Sequence, residues 1–510
     1  MPPPRIFHRA AVLTLVLALV AACGGINTEV GGSGGGASFR FAYPVGPSRY
    51  DPHRASSSFD NVTLFPVYDR LVHLDPQAEP IPGLAETWRY TAGGTRLELR
   101  IRPDLRFHDG TPLDAAAVKS NLDRARTLDG STVASELESV RAVQAPDART
   151  VVLVLTEPDS SLVGTLSDRA GMMISPAAFD DPDLDLQPVG AGPYRVVSYS
   201  PNDRVVLERF DRYWDPAAAQ VPSMVVAIQP DSTTRMNALR SGQTDAALVG
   251  GNQVAEAGLY DLPTTGDSTL AFYHLQLNRT RSHFGDQRVR RALNHAIDRS
   301  ATIDGVLFGH GEPAAQPFPA GYRAHDPHLG DPYPHDPRKA RALLAEAGLA
   351  GGFDFEAIVP TTDPGLAIAV QEQLADVGVR MHIREVSSGE TADLFYSREQ
   401  ADAMFSPWGG RADPVQTLSL LYGADGFANP GSHTIPRIEQ LTEQARRTID
   451  PRQRDALLHR IGRLVAEHAL DVPVTFADTV FAHHPRVTGL RGWQSNKPEL
   501  RGIDVRGSEG

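Results

Sequence analysis

The 510-residue chain has a single cysteine, Cys23, so no disulfide can form within it and no paired-cysteine metal or redox site exists. It also lacks an excess of positive charge: 49 Lys and Arg stand against 62 Asp and Glu, a formal net charge of −13. A nucleic-acid binder carries a basic face and a binder of anionic lipid a sustained basic run, and neither is present. No apolar run reaches the about 20 residues that a bilayer core demands. There is no phosphate-cradling loop, no H-E-x-x-H and no Ser/His/Asp order, so nothing in the sequence supports an enzyme. One formal G-x-S-x-G match, at residues 31–35, has neither the strand before it nor the helix after it that a nucleophile elbow needs. No internal repeat is found.

What is present begins at the N-terminus. Arg5 and Arg9 precede a short apolar segment, residues 10–20, and Val20-Ala21-Ala22-Cys23 follows. This reads as a removable signal, residues 1–22, and not as a fold element. The four residues resemble a lipoprotein cleavage site, which implies cutting before Cys23 and diacylglycerol on its sulfur. Residues 24–36 are Gly-rich with Ser, Thr and Asn, and have nothing to pack, so 23–37 is expected to be a lipidated Cys followed by a flexible tether.

Beyond the tether, alternating apolar stretches at 38–43, 97–101, 151–155, 224–228, 268–278, 353–359 and 379–384 predict strands. Between them, helix-period stretches at 61–71, 115–126, 233–241, 284–300, 338–347, 366–377, 435–449 and 452–467 predict helices, with Asp114 and Ser232 as caps. The mixture points to an α/β protein. At its centre stands VGAGPYRVVSYSPNDRVVLERFDRYWDP, residues 189–216: a Gly-Pro entrance, strands at 194–199 and 205–210 joined by Pro201-Asn202-Asp203, and an aromatic exit at Tyr213-Trp214.

This string resembles the signature of the extracellular substrate-binding proteins of solute-binding family five, the peptide and nickel class that serves ABC importers. The departures are Ala191 for the family's Thr and Phe210 for its Asn. YDRLVHLD (68–75), IPGLAETW (81–88), the F-x-D-G stretch from Phe107, FGDQRVRRALNHAIDRS (284–300), DPRKARALLAEAG (336–348) and VTGLRGW (487–493) are similar to the same family, in order, with Ala117 where its pattern has a second Asp. The resemblance implies an α/β, two-lobe periplasmic-binding-protein-like (Venus flytrap) fold with mixed sheets. Its first lobe would span 38–268, with an extra subdomain at about 63–182. A second lobe, 269–475, would follow, and 476–510 would return to the first lobe. It further implies a monomer without cofactor, metal or nucleic-acid partner, held by its lipid on the extracytoplasmic face of the plasma membrane. There it would capture a peptide or similar small solute and hand it to an ABC permease driven by ATPase subunits.

Candidate ligand residues follow from the same resemblance. Peptide-binding relatives have an aspartate three residues after the tryptophan of the segment matching 404–414, where it meets the peptide's amino group. Here Arg411 stands three residues after Trp408, and Asp413 comes later. Either Asp413 takes the amine, or Arg411 points into the cleft and binds a carboxylate or phosphate through its planar fork; a pair of solvated loop charges is the plain alternative. Trp408 is either a pocket wall or a core aromatic. Arg49 and Tyr50 lie on the loop after the first strand, Tyr273 and His274 on the crossover strand, and Asn429 and Ser432 where relatives place polar contacts. His325, His328, Asp331, His335 and Asp336 share a Pro-rich loop that reads as surface and not as a metal site. Rival functions are an envelope scaffold or regulatory lipoprotein that retains the fold, and a binder of a non-peptide anionic solute or metal chelate.

Overall fold

The computed structural model describes residues 37–361 and 364–507. The expected signal, Cys23 and all of the tether but Ala37 lie outside the described residues.

An eleven-stranded mixed sheet runs through the molecule. Its order is Val379–Val386, Phe353–Pro360, Ala403–Trp408, Thr264–Leu277, Val472–His483, Ala246–Val249, Phe39–Tyr43, Ser223–Ile228, Arg204–Arg209 and Tyr194–Ser200, with Gly311–Pro313 added beside Val472–His483. Two strands connect the lobes. Thr264–Leu277 and Val472–His483 pair antiparallel, from Thr264 opposite Ala482 to Leu275 opposite Val472, with the register broken between Ser268 and Phe272. The first is longer than the alternation at 268–278 predicts. Their outer ends continue the ladder into the first lobe, where Ala246–Val249 also pairs with Val480–His483.

Separate apolar clusters lie on either side of this connection. Phe39, Phe41, Tyr68, Tyr194 and Phe481 belong to the first lobe's core. Leu275, Val289, Leu293, Phe355 and Val370 belong to the second lobe's. A four-stranded antiparallel sheet, in the order Ala85–Thr91, Arg96–Ile101, Thr150–Leu155, Val140–Asp147, forms the extra subdomain. The helix Ala115–Thr127 packs on it through Val118, Leu122 and Ala125. Asp114 caps that helix as expected, accepting from Ala116 and Ala117 N–H at 3.0 Å each.

The central hairpin shows what its unusual residues do. A Cβ on Gly190 would stand 2.1 Å from the Val67 carbonyl oxygen, and one on Gly192 2.3 Å from that of Pro66, so only glycine lets the hairpin entrance lie against the helix Asn61–Val67. At the exit, Tyr213 Oη and Trp214 Nε1 both donate to Asp69 Oδ2, at 2.8 and 2.7 Å. Burial alone would raise the Asp69 carboxyl, but His73 and Arg501 beside it, with the Trp214 hydrogen bond, hold it well below the usual carboxylate range. Two distant stretches of sequence, YDRLV and RYW, therefore meet on one carboxylate.

Three local expectations are corrected. Strict alternation puts Tyr199 on the face opposite Tyr194, but a bulge between Val196 and Ser198 turns Tyr199 back onto the Tyr194 core. Residues 284–300 form two helices, Gln287–Ala296 and Arg299–Val306, because Ile297 is extended and Asp298 caps a new start, accepting from Ala301 N–H at 2.9 Å. Asp231, not Ser232, caps Ser232–Arg240, accepting from Thr234 N–H at 2.7 Å.

Candidate functional site

The strand Ala403–Trp408 ends against the connecting pair, with Trp408 opposite Phe272. The chain then turns through Gly409 and Gly410. Gly410 has φ +64°, and a Cβ on it would meet Leu270 Cβ at 2.7 Å, so the turn presses on the crossover strand. Arg411 follows, and the helix Pro414–Tyr422 begins immediately after. This loop forms one wall of a cavity of about 160 Å³ between the lobes. Trp408, Gly409, Gly410 and Arg411 line it from the second lobe, and Ser56, Asn61, Asp168, Arg169 and Lys497 from the first.

The cavity's charges are unevenly satisfied. Asp168 accepts from Asn61 Nδ2 at 3.3 Å through one oxygen and pairs with Lys497 through the other. Burial would raise its carboxyl, but Lys497 and then Arg169 outweigh burial and hold it far below the usual range. Arg169 donates to the Ala55 carbonyl. Arg411 makes no hydrogen bond or ion pair among the described residues, and its guanidinium carbon lies 5.6 Å from the Trp408 ring centroid. Glu136, outside the cavity's lining, has no ion pair among the described residues. Burial first, then Asp168, raise its carboxyl, against the pull of Arg411, Arg169 and Lys497.

Of the residues expected at the ligand, Trp408 and Arg411 are brought together here. Trp408 lines the cavity and packs in a buried cluster with Phe272 and Phe476. The others lie elsewhere. Arg49 is exposed and pairs with Asp185 at 3.5 Å. Tyr50 has no exposed surface and packs edge-on against Tyr199 in the first lobe's core. Tyr273 is half-buried beside Phe405, at the second lobe's core. His274, on the opposite face of the strand, is fully buried with Nδ1 3.3 Å from Asp471 Oδ2, so neither of the pair lines the cavity. Asn429 is buried and spends its amide on the Gly423 and His433 carbonyls while accepting from Arg279. Ser432 is exposed at the end of the short 3-10 helix Pro430–Ser432.

Asp413 is committed internally. It is 1 % exposed, accepts from Val415 N–H at 2.9 Å as the helix cap, and meets Arg454 at 2.5 Å and Arg323 at 3.7 Å. An incoming amine would have to displace two guanidinium groups. Of the two readings of this loop, the geometry leaves Arg411 as the group with capacity to spare.

Residues 155–165 of the extra subdomain reach the second lobe directly. Glu157 pairs with Arg446 and Arg447, Ser160 N–H donates to the Arg446 carbonyl at 2.8 Å, and Gln416 Nε2 donates to Thr165 Oγ1 at 2.9 Å. A larger cavity, about 540 Å³, lies almost entirely within the second lobe beneath the His/Asp-rich loop. Size favours it as a binding site, but only Phe476, at the start of the return to the first lobe, joins its second-lobe lining, whereas the smaller cavity takes side chains from both lobes. Among the described residues no cluster of three His, Cys, Asp or Glu could hold a metal ion.

Residues 79–429, well over half of the chain, match the family "Bacterial extracellular solute-binding proteins, family 5 Middle". The chain belongs to this family. Family 5 proteins are solute-binding components of ABC transporters, of peptide, glutathione and nickel type. The glutathione-binding protein GsiB of Shigella dysenteriae is 26% identical to this family 5 chain, over 95% of it and 96% of GsiB. Two solved structures share its two-lobe fold. One is the periplasmic binding protein DppA of Helicobacter pylori in complex with peptide STSA, with TM-score 0.81 and 23% identity over 92% of this chain and 98% of DppA. The other is AgaA of A. tumefacien R10 in complex with agropinic acid, with TM-score 0.80 and 24% identity over 93% of this chain and 99% of AgaA. No helix among the described residues is long and apolar enough to cross a membrane.

The first-lobe side of the cavity escaped the sequence reading. Asn61 appears there only as a helix start, and Asp168, Arg169 and Lys497 not at all. One signal was available: the chain has only three lysines, Lys119, Lys339 and Lys497, so an ammonium in place of the usual arginine marks a chosen position.

Proposed function

We propose that this family 5 protein captures a small anionic solute between its lobes and delivers it to a membrane permease. Residues 38–268 and 476–510 would act as one rigid lobe, with the subdomain at about 63–182 inside it, and 269–475 as the other. An open form admits the solute. Contacts from both lobes then favour the closed form, a population shift whose size is the solute's differential affinity for the two states. The protein breaks no bond, and acts as a monomer.

One observation carries this reading: Arg411 lines the interlobe cavity with no hydrogen bond or ion pair among the described residues, whereas Asp413 is held by two arginines. A planar guanidinium with free donors suits a carboxylate or phosphate. The acids named with its relatives agree, since glutathione and agropinic acid both carry carboxylates. Substituting Arg411 with alanine is expected to weaken solute binding at least tenfold, about 1.4 kcal/mol. Native mass spectrometry would identify the carried solute and calorimetry its affinity; equal affinities for wild type and variant would remove Arg411 from the site.

The lipid on Cys23 would hold the protein at the extracytoplasmic face of the plasma membrane. Cys23→Ser is then expected to appear in the soluble fraction, and membrane retention of the variant without lipid would refute the anchor.

A further inference from the structure

We infer that residues 157–160 of the first lobe form a latch on the C-terminus of the second lobe's helix Pro436–Arg447, one that holds the lobes together ahead of any solute and yields to salt. This takes from the proposed function only that two lobes open and close; the role of Arg411 does not enter it.

The first-lobe half is built in advance. Asp159 is buried, and its carboxylate accepts from Ser161 N–H at 3.0 Å, from Ser161 Oγ at 2.6 Å and from Ser139 Oγ at 2.6 Å, while Tyr90 Oη donates to its carbonyl at 2.6 Å. All of these partners belong to the first lobe, so the segment keeps its shape whether or not the second lobe is against it. Glu157 and Ser160 reach out from it. Ser160 N–H donates to the Arg446 carbonyl at 2.8 Å and Ser160 Oγ to that of Ala445 at 3.1 Å. A helix C-terminus leaves its last carbonyls without intrahelical donors, and here a residue of the other lobe supplies them. Glu157 accepts from Arg446 through one carboxylate oxygen and from Arg447 through the other. A second ion pair crosses the lobes in the same sense, acid on the first and arginine on the second: Glu79 with Arg323, at 3.1 Å.

The second-lobe half is built to let go. Glu443, one turn back on the same helix, accepts from Arg446 Nε at 2.9 Å and also pairs with Arg447. Both arginines therefore keep a carboxylate when Glu157 withdraws, and opening strands no buried charge. The side chains of Glu157 and Arg447 are 33 % and 53 % exposed, so dissolved ions reach the contact and screen it. None of the latch residues lines the 160 Å³ cavity. The latch acts on the solute only through the fraction of molecules whose cavity is open to it, and ionic strength sets that fraction.

Small-angle X-ray scattering on protein freed of carried solute tests the latch with no ligand present, so neither outcome depends on what Arg411 binds. Wild type is expected to be compact at about 20 mM NaCl and to gain radius of gyration toward about 500 mM. Glu157→Gln and, from the other side, Arg447→Gln should already be expanded at low salt and respond less to added salt. Glu86→Gln, which breaks an ion pair with Arg149 that lies wholly within the first lobe, should behave as wild type. Circular dichroism checks that each variant is folded; should Glu157→Gln not fold, Arg447→Gln on its exposed side chain decides. A wild-type radius that does not change with salt, latch variants as compact as wild type at low salt, or an equal expansion of Glu86→Gln overturns the inference.

Discussion

Asp413→Ala is expected to destabilise the protein by about 3–5 kcal/mol, the range for removing one partner of a buried ion pair, while leaving solute affinity within a fewfold of wild type. The substitution takes the cap from the helix Pro414–Tyr422 and leaves Arg454, which is 7 % exposed, without its carboxylate. Arg323 loses one of its two acidic neighbours, keeping Glu79 at 3.1 Å. Urea denaturation and calorimetry on the same variant read the two effects separately. If Asp413 were the amine anchor that the resemblance allows, the pattern would invert, with affinity collapsing and stability hardly touched. Asp413→Asn retains an acceptor for the Val415 N–H but no charge for Arg454, so its stability should fall between the two.

Why this loop could not be read from sequence alone is visible in its partners. Arg323 and Arg454 lie far from Asp413 in the chain, and nothing in the pattern around 404–414 announces them. The proposal of Arg411 over Asp413 rests on those two side chains. The elements themselves were far more legible, since strand alternation and helix caps are local. Asp114 could be named as a cap because the whole device spans four residues. Where local signals compete, reading failed. Asp298 interrupts an apolar stripe that otherwise continues through residues 284–300, and a bulge at Val197 turns Tyr199 to the other face of its strand. The glycines at 190 and 192 belong to a third kind. The motif was visible, but its cause, the approach of the Val67 and Pro66 carbonyls, exists only in the folded chain. Tyr50 and His274 were drawn toward the cleft by the positions of relatives, yet Tyr50 lies in the first lobe's apolar core and His274 is fully buried against Asp471.

His274 leads to the other large effect. Asp471 is 3 % exposed and gathers His274 Nδ1 at 3.3 Å, Arg279 Nη1 at 3.6 Å and Tyr422 Oη at 3.0 Å. These groups come from the crossover strand, the second residue beyond its end, and the end of the helix that follows Asp413; Asp471 itself precedes the return strand. The carboxylate therefore ties both interlobe connections to the second lobe at one buried point. Asp471→Ala leaves the Arg279 guanidinium buried without a counter-charge, and a loss of about 3–5 kcal/mol is expected by urea denaturation. The pH dependence follows from the same group. Burial would raise the Asp471 carboxyl, but the neighbouring His274, at 3.3 Å, and then Arg279 hold it below the ordinary range. A depressed carboxylate contributes stability above its unfolded pKa and loses it as pH falls through the folded one. The gap between wild type and variant should thus be full at pH 7 and narrow only in acid, below the usual carboxylate range. A loss under about 1 kcal/mol at neutral pH, the size of an ordinary substitution, would mean that Arg279 is satisfied by the Leu470 carbonyl and Asn429 alone, and that the connection between the lobes does not depend on this charge.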